Sequence, residues 1–271
     1  MKDLSTSLEQ DQPRTIGALD LRVGGTGQLR HLYQQGASKA LFARKRDGTE
    51  AIFINTSGGI TGGDQLNGYF ETSDTACLSV TTQGCERIYR SRACVNGTVD
   101  NRLVVRNQSS LFWLPQETLF YDGGHLERHL TIDVSSDATA LIVEPMLFGR
   151  LAMGENHLSG NLQECITLSI DGQLAFQDAT HFSGNITQTL DRPAVLAGAR
   201  ATALVVFSSL IAGAVLPTIR DMLNETSGAS VTQDHLLIAR LIAPDGMTLR
   251  RMLVPIITML TQTDLPKTWR L

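Results

Sequence analysis

The chain has 271 residues, of which 42% are hydrophobic and 18% are charged, and its formal net charge is −4. This composition excludes wholesale disorder, and the acidic isoelectric point near 5.9 argues against a dedicated binder of nucleic acid or anionic membranes. Glycine is over-represented at 24 residues, and most of the 23 basic residues are arginines, which suit bidentate pairing with carboxylates or phosphates.

The N-terminus and the apolar runs bear on the location of the protein. Residues 1–18 are mostly polar and lack the apolar stretch of a secretory signal, so we interpret them as a flexible leader. The longest apolar run, residues 202–216, is shorter than the ~20 residues that a membrane span needs, and it predicts a buried segment. We therefore expect a cytoplasmic protein that contacts no membrane and keeps its four cysteines reduced.

Short β-prone runs separated by Gly, Asn and Asp fill the chain from about residue 19 to residue 177. This pattern is typical of mostly antiparallel sheet. The clearest turn is Asp171-Gly172, because both central residues of a type I′ hairpin turn must tolerate positive φ. The sequence therefore predicts a hairpin centred on these two residues.

Two helices are predicted toward the C-terminus. Leu216, Ile219 and Met222 fall at helical spacing. A second helix should begin after Asp245, a candidate N-cap, and Pro255 should kink or shorten it. No linker separates these helices from the strands, so we predict a single domain over residues 1–271. Its class is mainly β (α+β), a large antiparallel β-rich domain with two C-terminal helices.

A glycine cluster at residues 58–63 invites comparison with phosphate-binding loops. It lacks the lysine of a Walker loop and leads into a strand-like run rather than a helix, which argues against nucleotide binding. A wide turn with positive φ angles is the simpler interpretation. Asp64 closes the turn, so its carboxylate should either cap backbone amides or face a polar group.

Scattered acids leave a hydrolytic interpretation open. Two of them could serve as acid and base, although sequence spacing cannot bring them together. The cysteines and histidines lack the spacing of a zinc site or of a serine-hydrolase triad. Arg90 and Arg92 alternate with Tyr89 in a strand-like run, which favours pairing with carboxylates over binding of nucleic acid. The acids in question are Glu86, Glu117, Asp122, Glu144 and Glu155.

Five segments, in order along the chain, resemble motifs of the UreD (also UreH) family of urease accessory proteins. The first is the glycine turn, with Gly58, Gly59, Gly62, Gly63 and Asp64. The others are Thr81-Thr82-Gln83 leading to Tyr89-Arg90-Ser91, Leu114-Pro115-Gln116-Glu117-Thr118, Phe148-Gly149-Arg150 with Ala152-Met153-Gly154-Glu155, and Leu265-Pro266-Lys267-Thr268-Trp269-Arg270. Gly84-Cys85-Glu86-Arg87 departs from the family pattern, in which small residues and a lysine are common.

The resemblance implies a non-enzymatic assembly factor with a β-rich fold and two helices. Such a factor would bind apo-urease and act with UreF, and through UreF with the GTPase UreG, to deliver Ni²⁺ to the urease active site. It implies no tightly bound cofactor and only transient Ni²⁺, held along a polar interior path by carboxylates and hydroxyls that release the ion readily.

On this resemblance, the expected path contains Asp64, Glu117 and Glu144 as metal-contacting acids, with Thr81 and Thr82 as polar companions. Some motif residues could have a purely structural role instead of a functional one. Arg150 and Glu155, for example, could pair with each other or cap a turn. The motif residues in question are Tyr89, Arg90, Gly149, Arg150 and Glu155. The C-terminal helix and tail are the expected docking site for UreF. The apolar surface exposed on a solitary chain should favour a homodimer.

Two other functions stay open on the sequence alone. One is a β-fold hydrolase that uses paired carboxylates, which turnover by the isolated protein would reveal. The other is a passive scaffold that holds UreF and urease together without contacting nickel, which would lose complex assembly rather than nickel delivery when the acids are replaced.

Overall fold

A computed structural model describes residues 13–43, 48–233 and 235–270, with 53% of residues in strands and 15% in helices. The predicted leader lies outside these ranges at residues 1–12, and its remainder runs into the first strand at Ile16. No helix in the described part is both long and apolar enough to cross a membrane.

The strands are β1 (Ile16–Gly24), β2 (Gln28–Gly36), β3 (Ser38–Ala43), β4 (Thr49–Asn55), β5 (Gln65–Thr72), β6 (Cys77–Thr82), β7 (Glu86–Ile88), β8 (Gly97–Val105), β9 (Ser110–Leu114), β10 (Thr118–Phe120), β11 (Gly124–Val134), β12 (Thr139–Phe148), β13 (Ser159–Ile170), β14 (Gln173–Asn185), β15 (Ala201–Ser208), β16 (Gly228–Thr232) and β17 (Leu236–Ala243).

Three α-helices lie within the described residues, where two were predicted. The additional one is only five residues long, too short to show a helical period in the sequence. Its first turn is capped by Asn185, whose side chain accepts a hydrogen bond from the backbone of Gln188. The helices are α1 (Ile186–Leu190), α2 (Ala212–Asp221) and α3 (Gly246–Thr261), and short 3₁₀ turns occupy Leu151–Met153 and Lys267–Trp269.

The strands form two sheets. The first has the order β14-β13-β11-β8-β5-β1-β2, and the second has the order β16-β17-β15-β12-β9-β6-β4-β3, with β10 and β7 attached beside β12. Central neighbours are parallel in both sheets. Antiparallel pairs occur toward the edges.

The prediction of antiparallel sheet is therefore wrong for the centre of the molecule. From β5 to β13 the main strands alternate between the two sheets, so each strand pairs with the strand one full coil away, and the chain winds as a β-solenoid. Parallel pairing requires a crossover connection, and here a strand of the opposite sheet supplies it. Short strands separated by turn residues look alike in sequence whether the turn closes a hairpin or rounds a corner of a coil.

Strand alternation places apolar side chains between the sheets and on the outer face of the second sheet. Leu21 of the first sheet and Val80 of the second belong to the central cluster between the sheets. Helices α2 and α3 cover the outer face of the second sheet, where Leu253 is fully buried. A separate apolar cluster, which includes Phe148 and Leu162, fills the end of the solenoid near α1 and is called the end cluster below.

Two local predictions are confirmed. Asp171 and Gly172 join β13 to β14 with φ of 48° and 76°, as a type I′ hairpin turn requires. Asp245 caps α3, and its carboxylate accepts a 2.8 Å hydrogen bond from the backbone of Thr248. The helix continues past Pro255 to residue 261, so that proline does not shorten it.

The C-terminal turn is anchored to the outer side of the second sheet. Trp269 is 2% exposed, and its indole N–H donates a 2.9 Å hydrogen bond to the carbonyl of Leu114. Arg250 of α3 stacks on the Trp269 ring at 4.7 Å and donates a 3.0 Å hydrogen bond to its carbonyl. The tail is thus part of the core, and the Trp269 side chain is not free to contact a partner.

We predict that Trp269→Ala lowers the free energy of unfolding by about 3–5 kcal/mol, because it removes a buried aromatic side chain. Trp269→Phe should cost less, about 1–3 kcal/mol, since it keeps a ring and loses the hydrogen bond to Leu114. Urea unfolding of both variants measures the difference. Equal stability of wild type and Trp269→Ala would contradict the anchored tail.

Candidate functional site

A polar layer interrupts the interior of the solenoid. Along β11, Leu126 and Leu130 face the interior, and Arg128 occupies the inward position between them. Glu144 of β12 and Glu164 of β13 occupy equivalent inward positions in their own strands. Three charged side chains therefore occupy inward-facing strand positions, where apolar side chains are expected. They separate the central cluster from the end cluster.

Arg128 is held by carboxylates on both sides. It is directly opposite Glu164 in the register of β11 and β13, and its Nε donates a 2.7 Å hydrogen bond to Glu164 Oε1. Its Nη1 lies 3.1 Å from Glu144 Oε2 and donates a 2.9 Å hydrogen bond to the hydroxyl of Thr118. Burial disfavours the guanidinium charge, but the two carboxylates outweigh that effect and raise the pKa of Arg128.

Glu144 has one satisfied oxygen and one unsatisfied oxygen. Oε1 accepts a 2.6 Å hydrogen bond from the indole N–H of Trp113. Oε2 accepts no hydrogen bond, although Arg128 is close, because the N–H groups of the guanidinium point elsewhere. The side chain is 6% exposed, and burial, reinforced by the neighbouring charge of Glu164, raises the pKa of Glu144.

Glu144 lines a small cavity, called the chamber below, with a volume of about 60 Å³. That volume accommodates roughly four water molecules. Two further buried polar atoms in its wall have no hydrogen-bond partner, Asn101 Oδ1 and Gln116 Nε2. Asn101 has room because residue 68, opposite it in β5, is glycine, and a Cβ at Gly68 would come within 2.3 Å of Asn101 Oδ1.

An outer cavity of about 350 Å³ adjoins the chamber, and the two share Thr82 and Glu86 in their walls. The carboxylate of Glu86 accepts hydrogen bonds of 3.2 Å from the side chain of Asn55. Burial raises the pKa of Glu86 to about 7, against the opposing effect of Asn55. Cys85 also lines this cavity, so a thiol and a carboxylate stand at the outer end of the polar layer.

A rear cavity of about 430 Å³ adjoins the chamber on the other side, and Glu144 lies in the walls of both. Glu164 and Arg240 also line the rear cavity. Arg240 donates a 2.6 Å hydrogen bond to Asp178, whose second carboxylate oxygen has no partner. Neighbouring cavities thus share wall residues, with Glu86 between the outer cavity and the chamber and Glu144 between the chamber and the rear cavity.

The structure brings together only part of the predicted path. Thr82 and Glu144 line the cavities, whereas Asp64, Glu117 and Thr81 do not. Asp64 accepts 2.8 Å hydrogen bonds from the backbone amides of Thr15 and Thr61, so it caps backbone amides, which is one of the two roles predicted for it.

Glu117 and Thr81 are engaged on the helical side of the second sheet. Glu117 accepts a 3.1 Å hydrogen bond from Arg250, and the Thr81 hydroxyl lies 2.9 Å from that of Thr268. The first contact ties α3 to the sheet, and the second ties the C-terminal turn to it.

The motif residues near the glycine turn meet on one surface. Gly59 has a φ of 158°, and a Cβ there would come within 2.3 Å of the Tyr89 ring, so the turn packs directly against Tyr89. Arg150 donates two 3.1 Å hydrogen bonds to Glu155. The two residues therefore pair with each other, as expected if their role is structural. Arg90 forms an ion pair with Asp122.

Comparison with known proteins agrees with these motifs. The sequence model of the family described as UreD urease accessory protein matches residues 16–270. The chain belongs to this family. The UreD relative from Ruegeria pomeroyi is 42% identical over 91% of this chain and 96% of its own. The relative from Roseobacter denitrificans is 39% identical over 99% of both chains, and UreD 1 from Brucella abortus is 37% identical over 92% of this chain and 94% of its own.

As a member of the UreD family, the chain is an accessory protein of urease rather than an enzyme, which removes the hydrolase alternative. No group of three or more His, Cys, Asp or Glu side chains in the described ranges is arranged to hold a metal ion. Sequence reasoning missed Arg128, Asn101 and Glu164 as members of the polar layer. The alternation of side chains along the strands could have revealed these residues, because each lies on the same strand face as apolar residues two positions away.

The raised pKa of Glu86 gives a pH prediction. In the unfolded chain the carboxyl has an ordinary pKa, so the folded protein holds its proton to higher pH, and this stabilisation is lost as pH rises through about 7. We expect Glu86→Gln to be more stable than wild type by about 2–3 kcal/mol above pH 8, with the difference shrinking toward pH 4.5. Urea unfolding of both proteins between pH 4.5 and 8.5 measures it. A difference that does not change with pH would contradict the burial of Glu86.

Proposed function

We propose that this UreD family member supports urease maturation by passing Ni²⁺ through its interior, from one surface cavity to the other by way of the chamber. Nickel is the cargo of this route and not a resident cofactor. The observation that carries the proposal is the buried carboxylate of Glu144, which lines the chamber between two apolar clusters and whose Oε2 accepts no hydrogen bond.

Charge favours a cation in this position. Arg128 carries one positive charge between two acids, so the group has one negative charge in excess when both carboxylates are ionised. Arg128 lies 3.1 Å from Glu144 Oε2 but also pairs with Glu164, so a second cation such as Ni²⁺ would further offset the cost of burying both carboxylates. The unpaired Asn101 Oδ1 adds a neutral oxygen to the same wall.

The ligand chemistry supports passage rather than storage. The polar atoms that face the chamber and the outer cavity are mainly carboxylate, amide and hydroxyl oxygens. Such oxygens hold divalent nickel less tightly than a closed set of imidazoles and thiolates. An ion moving between Glu86 and Glu144 would therefore exchange weak ligands and water, with no deep trap on the way.

The proposed partners are apo-urease, UreF and, through UreF, the GTPase UreG. A route with openings on two surfaces supports an arrangement in which one opening faces the source of the ion and the other faces urease. We retain Glu144 and Thr82 of the residues expected from sequence and add Glu86, Asn101 and Glu164. Asp64, Glu117 and Thr81 have structural partners and are assigned to the fold.

We predict that Glu144→Gln lowers urease activation by roughly tenfold or more, because an amide cannot neutralise the ion, while Glu164 still neutralises Arg128 and preserves the fold. The measurement is urease activity and nickel content after co-expression with the urease subunits, UreF and UreG.

The matched control is Glu50→Gln. Glu50 is 5% exposed and also has one unpaired carboxylate oxygen, but it lines none of the three cavities. It should leave activation within about twofold of wild type, since a buried amide in place of a carboxylate is otherwise tolerated. Equal activation by the two variants would refute the route. Loss of urease binding in Glu144→Gln would instead favour the passive scaffold.

A further inference from the structure

The family motifs converge on one exposed surface around Tyr89, called the Tyr89 surface below. The Tyr89 ring contacts the Tyr121 ring edge-on at 5.4 Å, and the guanidinium of Arg150 lies 4.2 Å from the centre of the Tyr121 ring. Arg90 pairs with Asp122, the residue that follows Tyr121. These contacts link the glycine turn, the β7 region and the 3₁₀ turn at Leu151–Met153 into one continuous face.

Several large side chains with apolar surface are exposed on this face. Tyr89 is 40% exposed, Val95 52%, Leu151 42% and Met153 78%. Clustered exposure of this kind marks a contact surface more often than an ordinary solvated one. Tyrosine, methionine and arginine are also the residue types enriched where proteins bind one another.

The Tyr89 surface is basic, in contrast to the acidic chain as a whole. Five exposed arginines, Arg14, Arg87, Arg90, Arg92 and Arg150, lie in this region, where Asp122 and Glu155 pair with Arg90 and Arg150 and Glu86 lies beside Arg87. Within the described residues, Arg87 and Arg92 form no ion pair.

The opening of the outer cavity lies in the same face. Gly58 and Arg87 line that cavity, and the Tyr89 hydroxyl lies 3.5 Å from the carbonyl of Gly58. A protein bound over Tyr89 would cover the opening beside Cys85 and Glu86. A docking surface and one end of the proposed route thus coincide.

We propose that the Tyr89 surface docks an acidic surface of the urease apoprotein, with apolar contacts at Tyr89, Leu151 and Met153 and charge pairing at Arg87 and Arg92. This inference rests on the proposed role in urease maturation and adds to it which face of the chain meets urease. Complementary charge speeds docking and fixes its orientation, and like charge at the same positions opposes it.

The test compares two arginines at opposite ends of one strand. Arg92 precedes β8 and Arg106 follows it, roughly 25 Å away at ~3.3 Å per residue. Both are exposed and neither forms an ion pair within the described residues, so Arg92→Glu and Arg106→Glu make the same change in net charge. The readout is the Kd of the full-length chain for purified apo-urease at two salt concentrations.

Arg92→Glu should weaken binding by at least about tenfold and reduce the salt dependence, whereas Arg106→Glu should change the Kd by less than about twofold. Met153→Glu should weaken binding as well, while Leu174→Glu, at a site 60% exposed on β14, should not. Thermal unfolding of each variant confirms that the fold is retained.

The outcomes separate the two proposals. Failure of the wild-type chain to bind apo-urease would count against the proposed function itself. Binding by wild type that is equally strong in Arg92→Glu and Met153→Glu would overturn the docking surface alone. Loss of UreF binding with intact urease binding would also overturn it, because the occupant would then be UreF.

Discussion

Arg128 is buried between two apolar clusters, and much of the interior follows from that position. A guanidinium in this setting costs several kcal/mol unless carboxylates are close, so β12 and β13 must each supply an acid at the matching inward position. The pairing is uneven, because Glu164 accepts directed hydrogen bonds from Arg128, whereas Glu144 Oε2 lies 3.1 Å from Arg128 without accepting one. The interior between the two sheets therefore contains a polar layer with one more acid than base.

The coiled winding of the chain makes this layer continuous. In a solenoid, equivalent positions of successive coils lie side by side, so Arg128 is directly opposite Glu164 on the next strand, whereas Asn101 is opposite Leu130 and lies diagonally from Arg128. Asn101, Arg128 and Glu164 lie on three consecutive strands of the first sheet, and Glu144 faces them from the second. The result is a chamber that shares wall residues with a cavity on either side, an arrangement compatible with the proposed passage of an ion.

Local signals in the sequence predicted local features correctly. The Asp171-Gly172 hairpin and the Asp245 cap each depend on a few consecutive residues, and both are confirmed. The parallel pairing of the central strands could not be predicted in this way, because it depends on contacts between residues a full coil apart. The site shows the same division. Glu144 was expected on the path from the family resemblance, which stays a prediction, whereas Asn101 and Glu86 line the same cavity as Glu144 only once the coils are wound.

The central claim is that a divalent ion enters the chamber beside Glu144. The most direct measurement is anomalous diffraction at the nickel absorption edge from crystals of this chain in complex with its partners, grown with Ni²⁺. The account predicts an anomalous peak within coordination distance of Glu144, lost in Glu144→Gln but retained in Glu50→Gln. Nickel peaks confined to the outer surface, together with full urease activation by Glu144→Gln, would contradict it.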